Sequence, residues 1–129
     1  MWYMDSGCSR HMTGCRSFLS DFVESEEGRV KFGGKEKGTI WGYGSTTDGS
    51  VVIKDIRYVE GLNHNLFNSS QFSDSGYINT QFILGCTVKD EDDKEILRGK
   101  RTENLYTFHF KAITNTDRAC LFSKTSSEN

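Results

Sequence analysis

Short runs of apolar residues, many of them alternating with polar ones, recur along the chain, and glycines separate these runs. Runs of this length bounded by turn residues predict β-strands. The first run, Trp2-Tyr3-Met4, leads directly into Asp5-Ser6-Gly7. We therefore expect Asp5 to lie where a buried strand ends, in a tight turn that Gly7 permits.

Two consecutive hairpins are predicted next. Residues 29–32 alternate, residues 33–38 contain three glycines, and residues 39–41 return, which predicts a hairpin over 29–43. A second hairpin over 39–60 turns at Asp48-Gly49, a strong hairpin signal. The alternation slips near Lys54-Asp55, and this slip predicts a β-bulge.

The segment 14–29 shows a different spacing. Its apolar residues Phe18, Leu19, Phe22 and Val23 follow a helical period. This spacing predicts one or two helical turns, packed on the outside of a β-structure as a connection.

The segment 60–82 predicts a strand followed by a short helix. Leu66-Phe67 is the apolar pair, Asn68 is a helix cap, residues 69–73 form the helix, and Gly76 ends it. Further strands are expected at residues 77–82, 87–88, 95–97 and 105–110, with a charged turn at residues 90–94 and a polar tail from Lys111 onward.

The composition of the 129 residues fits one small domain. The net charge of −2 gives no basic field for nucleic acid, and the cluster Lys94, Arg98, Lys100 and Arg101 is interpreted as a solvated hairpin face. With no secretory signal and no membrane-spanning run, the four cysteines are expected to be reduced thiols in an intracellular protein.

Cys8, His11 and Cys15 raise the question of a metal, with His64, Cys86 or His109 as a fourth ligand. Their spacing matches no zinc knuckle, and the acidic turn lacks the glycine and spacing of an EF-hand. We expect no metal and no cofactor, and we interpret Cys8 and His11 as residues that line a cleft or pack behind it. A thiol nucleophile at Cys8 with a histidine base is the minor alternative.

A carboxylate presented at the end of a buried strand is the arrangement used for aspartic proteolysis. That chemistry needs two carboxylates that share one proton. One such turn supplies half a site, so the second half must come from a two-fold partner. The second copy, Asp74-Ser75-Gly76, is too close in sequence to Asp5 for a two-lobed monomer, and we do not expect Asp74 to be catalytic.

Three runs of the chain resemble one known family, in that family's order. Residues 2–14, WYMDSGCSRHMTG, resemble the protease signature of copia-type retrotransposon polyproteins. Residues 59–72, VEGLNHNLFNSSQF, resemble a second run of the same polyproteins, although Asn68 stands where they have serine. Residues 99–106, GKRTENLY, resemble the start of the pre-integrase segment that follows the protease.

The resemblance implies an all-β fold, a small closed β-barrel of the retropepsin-like type with one short helix. It implies the barrel over residues 1–82, added β-hairpin strands at the start of the pre-integrase segment over 83–110, and a polar linker or partly disordered tail over 111–129.

The implied function is an aspartic endopeptidase that processes its own polyprotein as a homodimer, in the setting of a cytoplasmic virus-like particle. The implied catalytic residue is Asp5. The implied supports of its loop are Ser6, Gly7, Leu66, Phe67 and Asn68. The residues expected to contact substrate are Cys8, Ser9 and Arg10, together with Gly33 and Gly34 at the tip of a flap formed by the first hairpin.

A second function stays open at this point. Retroviral-type proteases have a longer segment before the catalytic turn than the four residues found here, and Asn68 is a further departure. The alternative is therefore an inactive remnant or host-adopted barrel that serves as a protein-interaction module.

Overall fold

The computed structural model of the chain describes residues 1–4, 8–32, 36–82, 84–102 and 105–114. The predictions for Asp5, Ser6 and Gly7, for Gly33 and Gly34, and for the tail beyond residue 114 lie outside the described residues. The described strands are β1 (Trp2–Met4), β2 (Met12–Thr13), β3 (Ser20–Glu24), β4 (Arg29–Phe32), β5 (Glu36–Thr47), β6 (Val52–Val59), β7 (Asn65–Phe67), β8 (Ile78–Phe82), β9 (Gly85–Lys89), β10 (Glu95–Thr102) and β11 (Leu105–Phe108).

The expectation of an all-β fold with one short helix is confirmed. The helix α1 (Ser69–Asp74) stands among eleven strands that share one sheet, in the order β3-β5-β6-β2-β7-β1-β11-β10-β9-β8, and β4 pairs with β5 beside this path. The strand order is open, so among the residues described the sheet does not close on itself. No helix in the described part of the chain is long and apolar enough to span a bilayer.

Strand β1 lies in the middle of this sheet. It runs parallel to β7 on one side, where Met4 is the neighbour of Phe67. It runs antiparallel to β11 on the other side, where Trp2 is the neighbour of Phe108. One sheet thus contains strands from before and after residue 82. The division of the chain into two regions at that residue stays a prediction.

Both predicted hairpins are confirmed. Strands β4 and β5 are antiparallel, as are β5 and β6. The predicted bulge is also present, because Gly44 pairs with Ile56 but Thr46 pairs with Ile53, which leaves one extra residue in β6. Asp55 lies within this bulge in the left-handed region, with a φ of 60°.

The helical turns predicted over 14–29 are wrong apart from one 3₁₀ turn at Arg16–Phe18. The structure describes this whole segment, and most of it is extended: β3 pairs with β5. Two glycines of β5 explain the difference, because a Cβ on Gly44 would lie 2.7 Å from the carbonyl oxygen of Ser20, and one on Gly42 would run into the carbonyl oxygen of Val23. The missing side chains let β3 approach closely, and this tertiary pairing overrides the local spacing.

The alternation of side chains along β1 divides its residues between two apolar clusters. Trp2 and Met4 belong to the larger cluster, where the Trp2 ring stacks on Phe67 with centroids 4.5 Å apart. Tyr3 packs against the smaller cluster. The larger cluster contains Leu19, Ile53, Ile56, Phe72, Cys86, Val88, Leu97, Phe108, Phe110 and Ala112 in addition, and the smaller one contains Cys8, Met12, Phe32, Ile40, Val59, Leu62 and Leu66.

Candidate functional site

The two residues that flank the Asp5-Ser6-Gly7 run both lie against β7. Met4 is buried and sits beside Phe67 in the parallel β1–β7 pair. Cys8 is also buried, and its thiol donates a long hydrogen bond to the carbonyl oxygen of Phe67 (3.8 Å). One strand, which contains Leu66 and Phe67, therefore contacts the chain on both sides of the run. Their role in supporting Asp5 stays a prediction.

Asn68 follows β7 directly and uses both ends of its side-chain amide. Its Oδ1 accepts a hydrogen bond from the backbone N–H of Gln71 at 2.8 Å, which confirms it as the N-cap of α1. Its Nδ2 donates to the carbonyl oxygen of Cys8 at 2.6 Å. The side chain thus joins the first turn of the helix to the residue that follows Gly7.

His11 is buried within this same arrangement. Its Nδ1 accepts a hydrogen bond from the backbone N–H of Asn68 at 2.8 Å, and its own backbone N–H donates to Oε1 of Gln71 at 2.8 Å. Its ring packs on Phe72, with centroids 4.3 Å apart. Burial lowers the pKa of His11 from 6.5 to about 3, so the ring is neutral at physiological pH with its proton on Nε2.

The sequence predicted the helix cap but not the second bond of Asn68 or the roles of His11 and Gln71. Capping is readable because a polar residue stands at the boundary of a local element. The bonds from Asn68 to Cys8 and to His11 span 60 and 57 positions, and no local pattern reports them.

Ser9 and Arg10, predicted to contact substrate, are exposed and line a polar groove of about 490 Å³ together with Tyr43, Arg57 and Gln71 among others. Cys8 is buried, with its thiol directed at β7. Substrate contact by these residues stays a prediction.

Glu27 links the segment after Cys8 to the base of the β4–β5 hairpin. Its Oε1 accepts a hydrogen bond from Nε of Arg57 at 2.9 Å and lies 3.4 Å from Nη1 of Arg10. The guanidinium of Arg57 also lies over the ring of Tyr43, 4.7 Å from its centroid. Partly exposed ion pairs of this kind contribute little stability, about 0–1 kcal/mol each. Through Glu27, these ion pairs hold Arg10 close to the start of the β4–β5 hairpin, which is the predicted flap.

The cysteine and histidine residues weighed as metal ligands do not come together in the described part of the chain. No group of three potential ligands that could hold a metal ion occurs there. Nδ1 of His11 is occupied by Asn68, and the thiol of Cys15 lies 3.2 Å from Oγ of Ser17. Burial raises the pKa of Cys86 to about 11, which keeps that thiol protonated.

The second Asp-Ser-Gly copy marks the end of a helix. Asp74 is the last residue of α1, and Gly76 adopts a φ of 89° beyond it, which confirms the predicted helix stop. The charged turn at residues 90–94 is confirmed as well, with Oδ1 of Asp90 accepting bonds from the backbone N–H groups of Asp92 and Lys94.

Comparisons with known proteins agree with the sequence resemblance. A family model described as the Pol polyprotein, β-barrel domain, matches residues 2–77. The chain is 32% identical over 81 residues to the retrovirus-related Pol polyprotein from transposon TNT 1-94 of Nicotiana tabacum. It is 34% identical over 67 residues to the putative transposon Ty5-1 protein of Saccharomyces cerevisiae. No solved structure gives a significant match.

The coverage of these alignments is uneven. They include 59% and 52% of the chain, but only 6% of the tobacco protein and 46% of the yeast protein. The chain thus spans less than half the length of either relative. The expected identity as a region of a retrotransposon Pol polyprotein is confirmed. Because the family model covers more than half of its residues, the chain belongs to the Pol polyprotein β-barrel domain family.

Proposed function

We propose that this domain is an aspartic endopeptidase that processes the polyprotein of a copia-type retrotransposon, as a homodimer with one catalytic Asp5 from each chain. The observation that carries this proposal is the placing of the residues around Asp5-Ser6-Gly7. The run directly follows the central strand β1, and β7 contacts the buried residues Met4 and Cys8 on either side of it. A carboxylate at such a strand end would be held by a rigid element.

The reaction needs the two Asp5 carboxyl groups to share one proton, because like charges about 3 Å apart cannot both ionise. The ionised carboxylate takes a proton from water, and the water oxygen forms a bond to the scissile carbonyl carbon. The partner's Asp5 gives its proton to the carbonyl oxygen. Collapse of this tetrahedral intermediate breaks the C–N bond, and the amine leaves with a proton from a carboxyl group.

The other residues would serve this step by position. Ser6 and Gly7 would shape the turn, and Leu66, Phe67 and Asn68 would support it. Cys8, Ser9 and Arg10 would face the substrate. No metal or cofactor is needed.

The retropepsin-like closed form of the barrel is part of the same proposal, with the β4–β5 hairpin as a flap. The antiparallel pairing of β4 with β5, from Arg29 with Thr39 to Phe32 with Glu36, supports this part of the proposal, in which Gly33 and Gly34 would sit at the flap tip. The substrate would be the polyprotein itself, inside a cytoplasmic virus-like particle.

The test combines cleavage of a peptide from a polyprotein junction, at mildly acid pH, with sedimentation across protein concentration. Asp5→Asn removes the catalytic proton transfer and should lower the rate by at least about 100-fold, since a positioned acid–base group contributes about 10²–10⁴-fold. Asp93→Asn is the control, because its side chain is 84% exposed in the charged turn and asparagine tolerates its φ of 63°. It should retain full activity.

A dimer whose cleavage is lost in Asp5→Asn alone supports the proposal. Cleavage that persists in Asp5→Asn contradicts it. A protein that stays monomeric at high concentration and cleaves nothing also contradicts it, and favours the protein-interaction module.

A further inference from the structure

We propose that Asn68 is a positioning residue, whose side-chain amide couples the start of α1 to the backbone of Cys8 and so fixes the end of the Asp5-Ser6-Gly7 run. This role rests on the proposed function. Asn68 is 6% exposed, and its Nδ2 bonds to the backbone of the residue directly after the run.

The chemistry of the side chain singles out asparagine. An N-cap needs only an acceptor, which Oδ1 provides to Gln71, and serine or aspartate would cap the helix as well. The donor Nδ2 is not needed for capping, yet it makes the shorter of the two bonds, 2.6 Å to the carbonyl oxygen of Cys8. An amide carries its acceptor and its donor on two separate atoms, so Asn68 can reach Gln71 and Cys8 at the same time.

Asn68 is itself held in place by a chain of hydrogen bonds to other segments. Its backbone N–H donates to His11, the backbone of His11 donates to Gln71, and Nε2 of Gln71 donates to the carbonyl oxygen of Asp55 in the β6 bulge at 3.0 Å. Because Asn68 and His11 are buried, water has poor access to replace a lost bond. These bonds link Asn68, and with it the donor that reaches Cys8, to the segment that contains His11, to helix α1 and to the β6 bulge.

The two ends of the run are anchored by different means. Met4 is anchored by the β1 pairings with β7 and β11. Cys8 belongs to no strand, and the bond from Asn68 and a weak thiol bond to Phe67 are two of its contacts. Removal of the Asn68 donor should therefore loosen the backbone at Cys8 and leave Met4 in place.

Two substitutions separate positioning from capping. Asn68→Asp and Asn68→Ser both keep an acceptor for Gln71. The ionised carboxylate of aspartate has no donor for Cys8, and serine is shorter and has no second polar atom to place at Cys8. The matched control is Asn79→Asp, because Nδ2 of Asn79 donates to the carbonyl oxygen of Ser69 at 3.0 Å and ties α1 to β8 rather than to Cys8. All three variants are made in the full chain.

The first readout is cleavage of the junction peptide, with kcat and KM measured from neutral to mildly acid pH. Each Asn68 variant should lose about tenfold in kcat with KM little changed, the size expected when one buried hydrogen bond is broken. The deficit of Asn68→Asp should shrink as the pH falls, because a protonated carboxyl group can again donate to Cys8. The deficit of Asn68→Ser should not change with pH, and Asn79→Asp should keep the parent kcat.

The second readout needs no activity. Hydrogen exchange measured by NMR at the backbone amides of His11 and Asn68 should be about tenfold faster in both Asn68 variants, with amides of the β5–β6 hairpin unchanged. Parent-like exchange at these amides overturns the role of Asn68 even if the parent cleaves nothing. Parent-like kcat in both variants, or an equal loss in Asn79→Asp, overturns it as well. An inactive parent with the expected exchange pattern contradicts the proposed protease and leaves the anchoring of Cys8 supported.

Discussion

Phe108 is the residue whose removal best tests whether the strands beyond the family match belong to the core. It lies in β11, outside the matched residues 2–77, and is 1% exposed. Its ring meets Phe67 edge-on with centroids 5.7 Å apart, and it fills the space above Gly99, where a Cβ would come within 2.8 Å of the ring. Phe108→Ala should therefore cost about 3–5 kcal/mol in the free energy of unfolding, the usual loss for a fully buried phenylalanine.

Urea denaturation measures this loss. With a denaturant slope of about 1–3 kcal/mol per molar, the midpoint should fall by about 2 M. Total stabilities of about 5–15 kcal/mol leave room for the variant to fold, and Phe108→Leu gives a smaller, graded loss if it does not. The matched control is Leu105→Ala in the same strand, which is 41% exposed and should cost less than about 1 kcal/mol. A loss at Phe108→Ala below about 1 kcal/mol, or one no larger than that of Leu105→Ala, would refute the assignment of β11 to the core.

Two further predictions concern His11 and the β3–β5 contact. In the unfolded chain His11 takes a proton near pH 6.5 but in the folded chain only near pH 3, so the unfolded state binds more protons between these values. As the pH is lowered through this window, the free energy of unfolding of the unsubstituted protein should therefore fall, by up to about 1.4 kcal/mol per pH unit more than that of His11→Gln. A difference in the free energy of unfolding between the two proteins that is constant with pH would contradict this. Gly42→Ala would place a methyl group 2.5 Å from Cζ of Phe22, so we expect a loss of about 1–3 kcal/mol and a Tm lower by at least about 5 °C. An unchanged Tm in a thermal melt would show that β3 does not pack there.

The sequence predicts those parts of the fold that local signals determine. The hairpin at Asp48-Gly49, the bulge at Asp55 and the cap at Asn68 each depend on residues within a few positions of one another. The error over 14–29 has the opposite origin, because the spacing of Phe22 with its neighbours suits a helix while the glycines of β5 suit an adjacent strand. Local spacing carries no information about which strand will offer that space.

The same distinction holds at the candidate site. The strand before Asp5 and the apolar pair Leu66-Phe67 were both predicted, and the structure brings them side by side. The pairing of β1 with β11 was not predicted, because a strand pattern does not name its neighbour. The bond from Asn68 to Cys8 could not be predicted for the same reason, since it depends on where β7 ends relative to β1.

The pairing of β1 with β11 also has a consequence for the order of events in folding. Strand β1 is synthesised well before its antiparallel neighbour, residues 105–108. During synthesis Trp2 and Met4 must therefore wait for roughly a hundred further residues before this edge of β1 is covered. Sequence-distant pairings of this kind slow folding, because the entropy of closing the intervening loop is lost before the contact forms. The segment that carries Asp5 should thus be among the last to become fixed, which would delay any proteolysis until the residues of β11 have been made.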